Sequence, residues 1–536
     1  MSIAPGTRFG SYEVLSTPGG PARSGFRGLR ALGLPLVFTS GLVAFALLDS
    51  VRQNPSLFRA FLGAAAVLIV WNAVLLASAL RTGRTLTLEI VVRKQHYLQA
   101  CAQGSVLLYW GWYWRPVYDS AYLIAAQLLF AYAFDMLLSW SRRDTCTLGF
   151  GPFPVIFSIN LFLSFKPDWF YLQFLMVALG FAAKELIRWD KEGRRAHIFN
   201  PSSFPLAVFS LGLIVTGRSD LTWAQDIAST QFYPPHMYLM LFLIGLPGQY
   251  FFGVTSMTMS AVVTTYLFGL LYYAATGIYF FYDSYIPIAV FLGMHLLFTD
   301  PSTSPRTELG RVIFGALYGL STIALYELLG NAGLPTFYDK LLQVPILNLS
   351  ITLIDHAARS KLLRAFDPGA LAQWLAPRQR HLAYMSVWAI VFAVMSAAQG
   401  VGDSHPGQWL PFWRQACTDE REYACPYLEN VVSNRCDRGS GWACNELGIL
   451  QAERELDHAG AAESIRRGCA LGFSPACVNA NRVATAGTPE SAPPTLEDYP
   501  IILRGSKGPI TERSRAALEA LACRQGWPGT CQQRGR

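Results

Sequence analysis

The chain has 536 residues, 52% of them hydrophobic and only 15% charged, with a mean hydropathy of +0.29. That composition excludes a disordered or collagen-like chain and points to a protein that crosses a membrane several times. The formal charge of +8 is uneven: residues 399–536 hold 15 Lys+Arg against 16 Asp+Glu, and the residues before them 28 against 19. The excess lies in the apolar part, where a positive-inside bias accounts for it better than a nucleic-acid partner does.

Residues 1–30 are polar, with Arg8, Arg23, Arg27 and Arg30 and no short apolar segment ending in a cleavage site, so they are expected to be a cytoplasmic segment before a retained first span. Apolar runs follow near 31–48, 58–80, 105–117, 120–140, 149–165, 169–187, 203–217, 236–252, 254–277, 284–299, 312–330, 339–355 and 381–398. Several fall short of the ~20 residues of a comfortable span, so about 11–13 crossings are expected. The predicted fold is all-α, a polytopic helical membrane bundle with a C-terminal disulfide-stapled helical-repeat tail. Its parts are additional N-terminal spans over 31–117, a membrane core over 118–360, a cytoplasmic loop and last span over 361–398, and a tail over 399–536. With the N-terminus inside, Arg81, Arg84, Arg142, Arg143, Lys184, Arg188, Arg306, Arg311, Arg359 and Lys361 all fall on the cytoplasmic side and residue 399 onward falls outside. The aromatic run Tyr109–Trp114 reads as an interfacial belt, with a carbohydrate or quinone platform as the alternative.

Three stretches carry polar, Gly and Pro residues where a plain span would carry leucine. They are His197-Ile-Phe-Asn-Pro-Ser-Ser-Phe-Pro205, then Gly245-Leu-Pro-Gly248 with Gly253-Val-Thr-Ser256, and Thr299-Asp-Pro-Ser-Thr-Ser-Pro-Arg306 leading into Gly310-Arg-Val-Ile-Phe-Gly315. Broken helices in a bilayer mark binding or translocation sites, because their freed backbone groups need partners. Helix N-termini after Asn-Pro and Ser-Pro also offer donors to a phosphate. The plain alternative is a set of tight, capped cytoplasmic turns. Asp135 and His295 lie inside apolar runs, where an ionisable group is costly unless it faces a cavity or a partner, and both are candidates for an ion pathway.

Eight of the ten cysteines stand in the tail as four pairs: Cys417 with Cys425, Cys436 with Cys444, Cys469 with Cys477, and Cys523 with Cys531. Eight positions along one helix span roughly 12 Å, beyond the reach of a disulfide, so the chain must turn between partners. Gly439, Gly472 and Gly526, three residues after the first cysteine, suit a left-handed cap at that turn. Structural zinc prefers closer spacing, so four disulfides and no metal are expected, and with them an oxidising, extracytoplasmic compartment. Residues 485–500 read as a linker.

The shared Cys-x-x-Gly-x-x-x-[Ala/Thr]-Cys pattern, with Asn445-Glu-Leu-Gly448 after one pair, resembles cysteine-containing Sel1-like repeats of the tetratricopeptide class, which implies a protein partner for the tail. In the membrane part, the ordered succession of the His-x-x-Asn-Pro turn, the Pro-Gly break, the Thr-Asp-Pro-x-[Thr/Ser]-Ser-Pro turn before Gly-Arg-x-Ile-Phe-Gly, and Asn348…Ile354-Asp355 resembles the RnfD/NqrB family. These are membrane subunits of redox-driven sodium-pumping oxidoreductases. The resemblance covers roughly residues 120–360 and is nearest to a stand-alone branch associated with enediyne biosynthesis. It implies flavin-associated electron transfer or ion-coupled transport, redox partner subunits, and FMN or riboflavin as cofactor. The family's covalent attachment sequence, Ser-x-Ala-Thr, is replaced here by Asp226-Ile-Ala-Ser-Thr230. Covalent flavin at Ser229 or Thr230 is therefore less expected than non-covalent flavin near His197, Asn200, Ser202, Ser203, Asp300, Thr303, Ser304 and Arg306. Two other functions compete: an exporter of a natural product that has lost its flavin, and a membrane scaffold recruiting a partner through its repeats. Whether the chain is an enzyme is left open by its motifs.

Overall fold

The computed structural model describes residues 31–531 apart from 192–193, 232–233, 282–283, 372–373, 399–400, 402–404, 422–423, 455–457, 505–509 and 511, together with a strand pair near the N-terminus. Among the described residues, strands are confined to three two-stranded pairs: β1 (Arg8–Phe9) with β2 (Tyr12–Glu13), β3 (Thr87–Ile90) parallel to β4 (Thr145–Leu148), and β5 (Arg188–Lys191) antiparallel to β6 (Arg194–His197). Everything else that is regular is helical.

The first compact unit comprises residues up to Thr265 and Ile288–Ala397. Its helices begin with α1 (Gly33–Ala46), α2 (Asp49–Arg52), α3 (Pro55–Thr82), α4 (Lys94–Tyr113), α5 (Pro116–Asp119), α6 (Ala121–Arg142), α7 (Pro152–Asn160) and α8 (Phe170–Leu186). They continue with α9 (Ser203–Thr216), α10 (Ala224–Thr230), α11 (Met237–Phe252), α12 (Thr255–Thr276), α13 (Ile288–Leu296), α14 (Glu308–Asn331), α15 (Gln343–Ala358), α16 (Pro368–Leu371) and α17 (Pro377–Ala397). The division between the units falls within α12. In α3 the start and stop signals are complete: Asn54 Oδ1 accepts the N–H groups of Ser56 and Leu57, Pro55 occupies the first position, and Gly83 closes the helix at φ 67°.

Among the described residues, seven helices are long and apolar enough to cross a membrane: Pro55–Thr82, Ala121–Arg142, Pro167–Leu186, Thr255–Thr276, Glu308–Asn331, Thr336–Ala358 and Pro377–Ala397. The remaining apolar runs form shorter or more polar elements. Helices α1, α9 and α11 have 14, 14 and 16 residues, and α4 carries the polar start Lys94-Gln-His96. Two of the thirteen runs hold only the nine-residue helices α7 and α13, each about 14 Å long and well short of a 30 Å hydrocarbon core. Every residue of α13 is buried. Both helices run into turns within their apolar runs.

Polar side chains join the helices where lipid-like packing alone gives little orientation. Gln127 and Asn160 exchange amide hydrogen bonds of 3.1 and 2.9 Å, and Gln173 donates to Gln127 at 2.9 Å, tying α6, α7 and α8 together. On α14, Gly315 and Gly319 form a small-x-x-x-small face against α12. A Cβ at Gly315 would run into the Met257 carbonyl, and one at Gly319 would stand 2.9 Å from the Ala261 carbonyl.

The second unit comprises Tyr266–Pro287 and Ala398–Arg536. Its further helices are α18 (Leu410–Thr418), α19 (Ala424–Asp437), α20 (Gly441–Arg454), α21 (His458–Ala470), α22 (Ser474–Ala484), α23 (Tyr499–Arg504) and α24 (Glu512–Arg524). All four expected disulfides are present, with Cα atoms 4.6–4.9 Å apart. Cys417 of α18 is bonded to Cys425 of α19, Cys436 of α19 to Cys444 of α20, and Cys469 of α21 to Cys477 of α22, so three of the bonds join consecutive helices. The fourth bond joins Cys523 of α24 to Cys531 across the turn that follows α24, and the residues after Cys531 lie outside the described ones. Gly439, Gly472 and Gly526 take positive φ at the turns, and Glu420 takes the same place in the first pair at φ 53°.

Gly441 and Gly468 let α20 and α21 approach so closely that a Cβ on Gly468 would lie 2.8 Å from the Gly441 carbonyl. Residues 486–495 have no helix or strand, yet their backbone is held: Asn479 pairs with Glu490 in both directions, and Trp442 Nε1 donates to the Ala492 carbonyl. The expected linker is an ordered strap. His405 is fully buried against Tyr279 and Tyr285, with ring centroids 4.2 and 4.6 Å away, and its Nδ1 accepts the Gly407 N–H. Burial pushes its imidazole down to about 3.

Candidate functional site: two capped turns joined by one helix

The Asn-Pro and Asp-Pro turns, 100 residues apart in sequence, meet in the first unit. The β5–β6 hairpin delivers His197 to the entrance of the first turn, where its Nε2 donates to Asp300 Oδ2 at 3.3 Å. Asn200, buried, spends its Oδ1 on the N–H groups of Ser202 and Ser203 and on the Ser202 hydroxyl, at 3.0, 3.2 and 2.8 Å. Its Nδ2 donates to the Leu297 carbonyl at 2.9 Å, which fixes the first turn to the chain leaving α13. Phe199 stacks on Phe204 across the turn, and Gly180 of α8 admits the Pro201 carbonyl where any Cβ would collide with it.

Asp300 repeats this chemistry. Its Oδ1 accepts the Ser302 N–H at 3.0 Å and its Oδ2 accepts the Thr303 hydroxyl at 3.2 Å. Burial works against its charge, but the His197, Ser302 and Thr303 hydrogen bonds outweigh it and hold the carboxyl below its ordinary range. Thr303 and Ser304 are buried, and the Ser304 hydroxyl donates back to the Pro301 carbonyl.

Helix α15 joins both turns. Asn348 Oδ1 accepts the Asn200 N–H at 3.1 Å while its Nδ2 donates to the Thr303 carbonyl at 3.2 Å. Two helical turns further on, Asp355 accepts the N–H groups of Arg306 and Thr307 and the Thr307 hydroxyl at 2.9–3.0 Å. Asn348 and Asp355 were visible in the sequence as two polar residues seven apart on one face of an apolar helix. Their role as the seam between the turns was not.

The junction brings together His197, Asn200, Ser202, Ser203, Asp300, Thr303 and Ser304, and the Arg306 backbone with them. It does not include Asp135, which is half-buried on α6 with no hydrogen bond or ion pair among the described residues. The Ser229 hydroxyl donates to the Asp226 carbonyl at 3.3 Å, on α10. Thr230 is buried, with its hydroxyl donating to the same carbonyl at 2.7 Å and accepting from Trp110 Nε1 at 3.2 Å. Both hydroxyls donate to the Asp226 carbonyl, and that of Thr230 is enclosed as well. At the turns, the N–H groups of Ser202, Ser203, Ser302, Arg306 and Thr307 all go to side-chain oxygens, so a flavin phosphate would have to displace them. The Arg306 side chain stands apart, because its buried Nε has no hydrogen-bond partner among the described residues.

Next to the junction, His295 and Thr299 line a small cavity with Gln249, Gly245 and Gly248 of the Pro-Gly break and with Gln99 of α4. Gln249 carried no motif of its own, but an amide two residues after Pro247 in an apolar run was its available signal.

The fold and the junction define a largely helical protein with helices suited to a bilayer, built around paired breaks in its apolar segments. Comparison with protein-family models, with curated proteins and with solved structures finds no match.

Proposed function

We propose that the chain is a multi-pass protein of a bacterial cytoplasmic membrane, of RnfD/NqrB type, that couples the movement of an ion to its work without a covalent flavin. The observation that carries this reading is the meeting of two Asn-Pro/Asp-Pro breaks from different segments on one helix, α15, beside a small cavity into which His295 and Gln249 are set. Paired interruptions at the centre of a bundle are how transporters place ion sites. The engaged Thr230 hydroxyl and the spent backbone donors speak for transport over covalent flavin chemistry. In this reading the N-terminus is cytoplasmic and the disulfide-bonded hairpins form a repeat-like, extracytoplasmic surface for a partner protein.

Ion uptake into proteoliposomes, compared between wild type and Asn200→Ala and Asp300→Ala, tests the proposal. It fails if both variants transport at the wild-type rate. Flavin-associated electron transfer is the second reading, favoured by the unpartnered Arg306 Nε, and the absorption spectrum with in-gel flavin fluorescence of the purified protein separates the two.

A further inference from the structure

The cavity beside the junction is built from groups whose hydrogen bonding is incomplete. His295 is 2% exposed and Gln249 1%. The His295 Nδ1 stands 2.7 Å from the Phe291 carbonyl, which can only accept, so Nδ1 carries the proton and Nε2 presents a lone pair. That Nε2 has no partner among the described residues, and neither has the oxygen or the nitrogen of the Gln249 amide. Buried polar atoms of this kind are costly when unpaired and are ordinarily satisfied by ordered water. Space is reserved between them. A Cβ at Gly245 would stand 3.0 Å from His295 Cδ2 and 3.2 Å from Gln249 Nε2, so the glycine keeps the gap open. The cavity offers about 20 Å³ to a water's centre, above the roughly 10–15 Å³ that one water requires and far below what an organic cofactor needs.

We infer that this cavity is a hydrated proton-accepting site, in which one water bridges His295 Nε2 and the Gln249 amide and passes a proton to Nε2. The water donates to the Nε2 lone pair and accepts from the Gln249 NH2. When a proton arrives from solvent along that water, an O–H bond breaks and an Nε2–H bond forms. The resulting imidazolium keeps its Nδ1–H on the Phe291 carbonyl, and the reverse transfer restores the neutral ring. The groups facing His295 are Leu98, Gln99 and Ala102 from α4, Gly245 and Gln249 from α11, Phe291 and Thr299 on its own segment, and Trp388 from α17 at 5.9 Å. None of these is charged, so the proton that Nε2 receives comes to it by way of the water. Thr299, whose hydroxyl donates to the His295 carbonyl, immediately precedes Asp300, so the site adjoins the His197–Asp300 pair. A proton as the coupled ion rests on the ion-coupled reading above, whereas the hydrated histidine does not.

The test is water-edited solid-state NMR of the full-length protein, labelled with ¹⁵N-histidine, in vesicles of phosphatidylethanolamine and phosphatidylglycerol. His295→Phe assigns the signal by its loss. At about pH 7.5 the ring is expected as the Nδ1–H tautomer with magnetisation transfer from water, and the imidazolium signal should grow as the pH is lowered. Gln249→Leu is expected to cut the water transfer at least about fivefold with the tautomer unchanged, since Phe291 still holds Nδ1. No water transfer to His295 in the wild type, equal transfer in Gln249→Leu, or no imidazolium on acidification overturns the inference. The wild-type measurements stand even if Gln249→Leu fails to fold. Because neither readout depends on transport, an intact hydrated site in a protein that moves no ions would overturn the proposed function and leave the site.

Discussion

Removing the Asp355 carboxylate should unfasten the second turn from α15, and the size of the loss can be worked from its hydrogen bonds. Asp355 is 7% exposed and accepts from two backbone N–H groups and one hydroxyl at 2.9–3.0 Å. Asp355→Ala leaves those three donors part-buried without their acceptor. Each orphaned donor costs about 1–3 kcal/mol, and breaking a buried charged contact by removing one partner typically costs about 3–5 kcal/mol, so a total of about 3–5 kcal/mol is expected. Asp355→Asn retains Oδ1, the atom that contacts Arg306 N, Thr307 N and the Thr307 hydroxyl. It puts an NH2 in place of the Oδ2 that also accepts the Arg306 N–H at 3.0 Å, so it forfeits that acceptor together with the charge-assisted part of the other bonds, about 1–3 kcal/mol. Unfolding by SDS titration, followed through thiol labelling of the buried Cys146 in a Cys101→Ser background, reads both values. If Ala and Asn variants lose the same stability, or Ala loses less than about 1 kcal/mol, the seam is not held by this carboxylate and the account of the junction is wrong.

The remaining expectations concern both units. Gly315→Val should destabilise by about 1–3 kcal/mol or more through overlap with α12, while Ser321→Val, on the same helix with an exposed hydroxyl, should not; the same SDS titration compares them. For His405, the folded state holds the ring neutral down to about pH 3 while the unfolded chain protonates near 6.5, so the unfolded state binds more protons in that window. Stability of the second unit should therefore fall as pH drops from about 6.5 towards 3, at up to about 1.4 kcal/mol per pH unit, and His405→Gln should flatten the loss seen in tryptophan fluorescence of urea melts. Glu420→Gly should raise the unit's stability by up to about 1–2 kcal/mol by relieving a left-handed non-glycine residue; an unchanged urea midpoint would count against that. If Arg306 clamps a flavin phosphate, Arg306→Lys and Arg306→Ala should both lose flavin from the purified protein, because lysine cannot reproduce the guanidinium fork, whereas full occupancy in the lysine variant reduces Arg306 to a positive anchor.

What the sequence disclosed depended on how local the chemistry is. The Asn200 and Asp300 caps lie within three residues of the groups they bond, so turn chemistry alone located them. The disulfides were equally readable, because a bond across eight residues requires the chain to turn, and the glycines at 439, 472 and 526 marked where it does. One detail escaped that rule. Glu420 is held left-handed between Cys417 and Cys425 by the disulfide and its hairpin, without the glycine that would announce it.

The seam was hidden for a different reason. Asn200 and Asn348 are 148 residues apart, and no local propensity pairs them. The nine-residue helices α7 and α13 were hidden because an apolar run has the same composition whether it stays helical or turns. Gln249 was hidden most fully, since its meaning lies in the absence of a protein partner among the described residues and in Gly245 holding space beside it. The same argument explains why these apolar segments tolerate such residues at all. An amide or imidazole in a lipid-facing position is lost to packing, whereas one enclosed with a water and a missing Cβ is satisfied at little cost, and it remains a place in an apolar wall where a proton can be received.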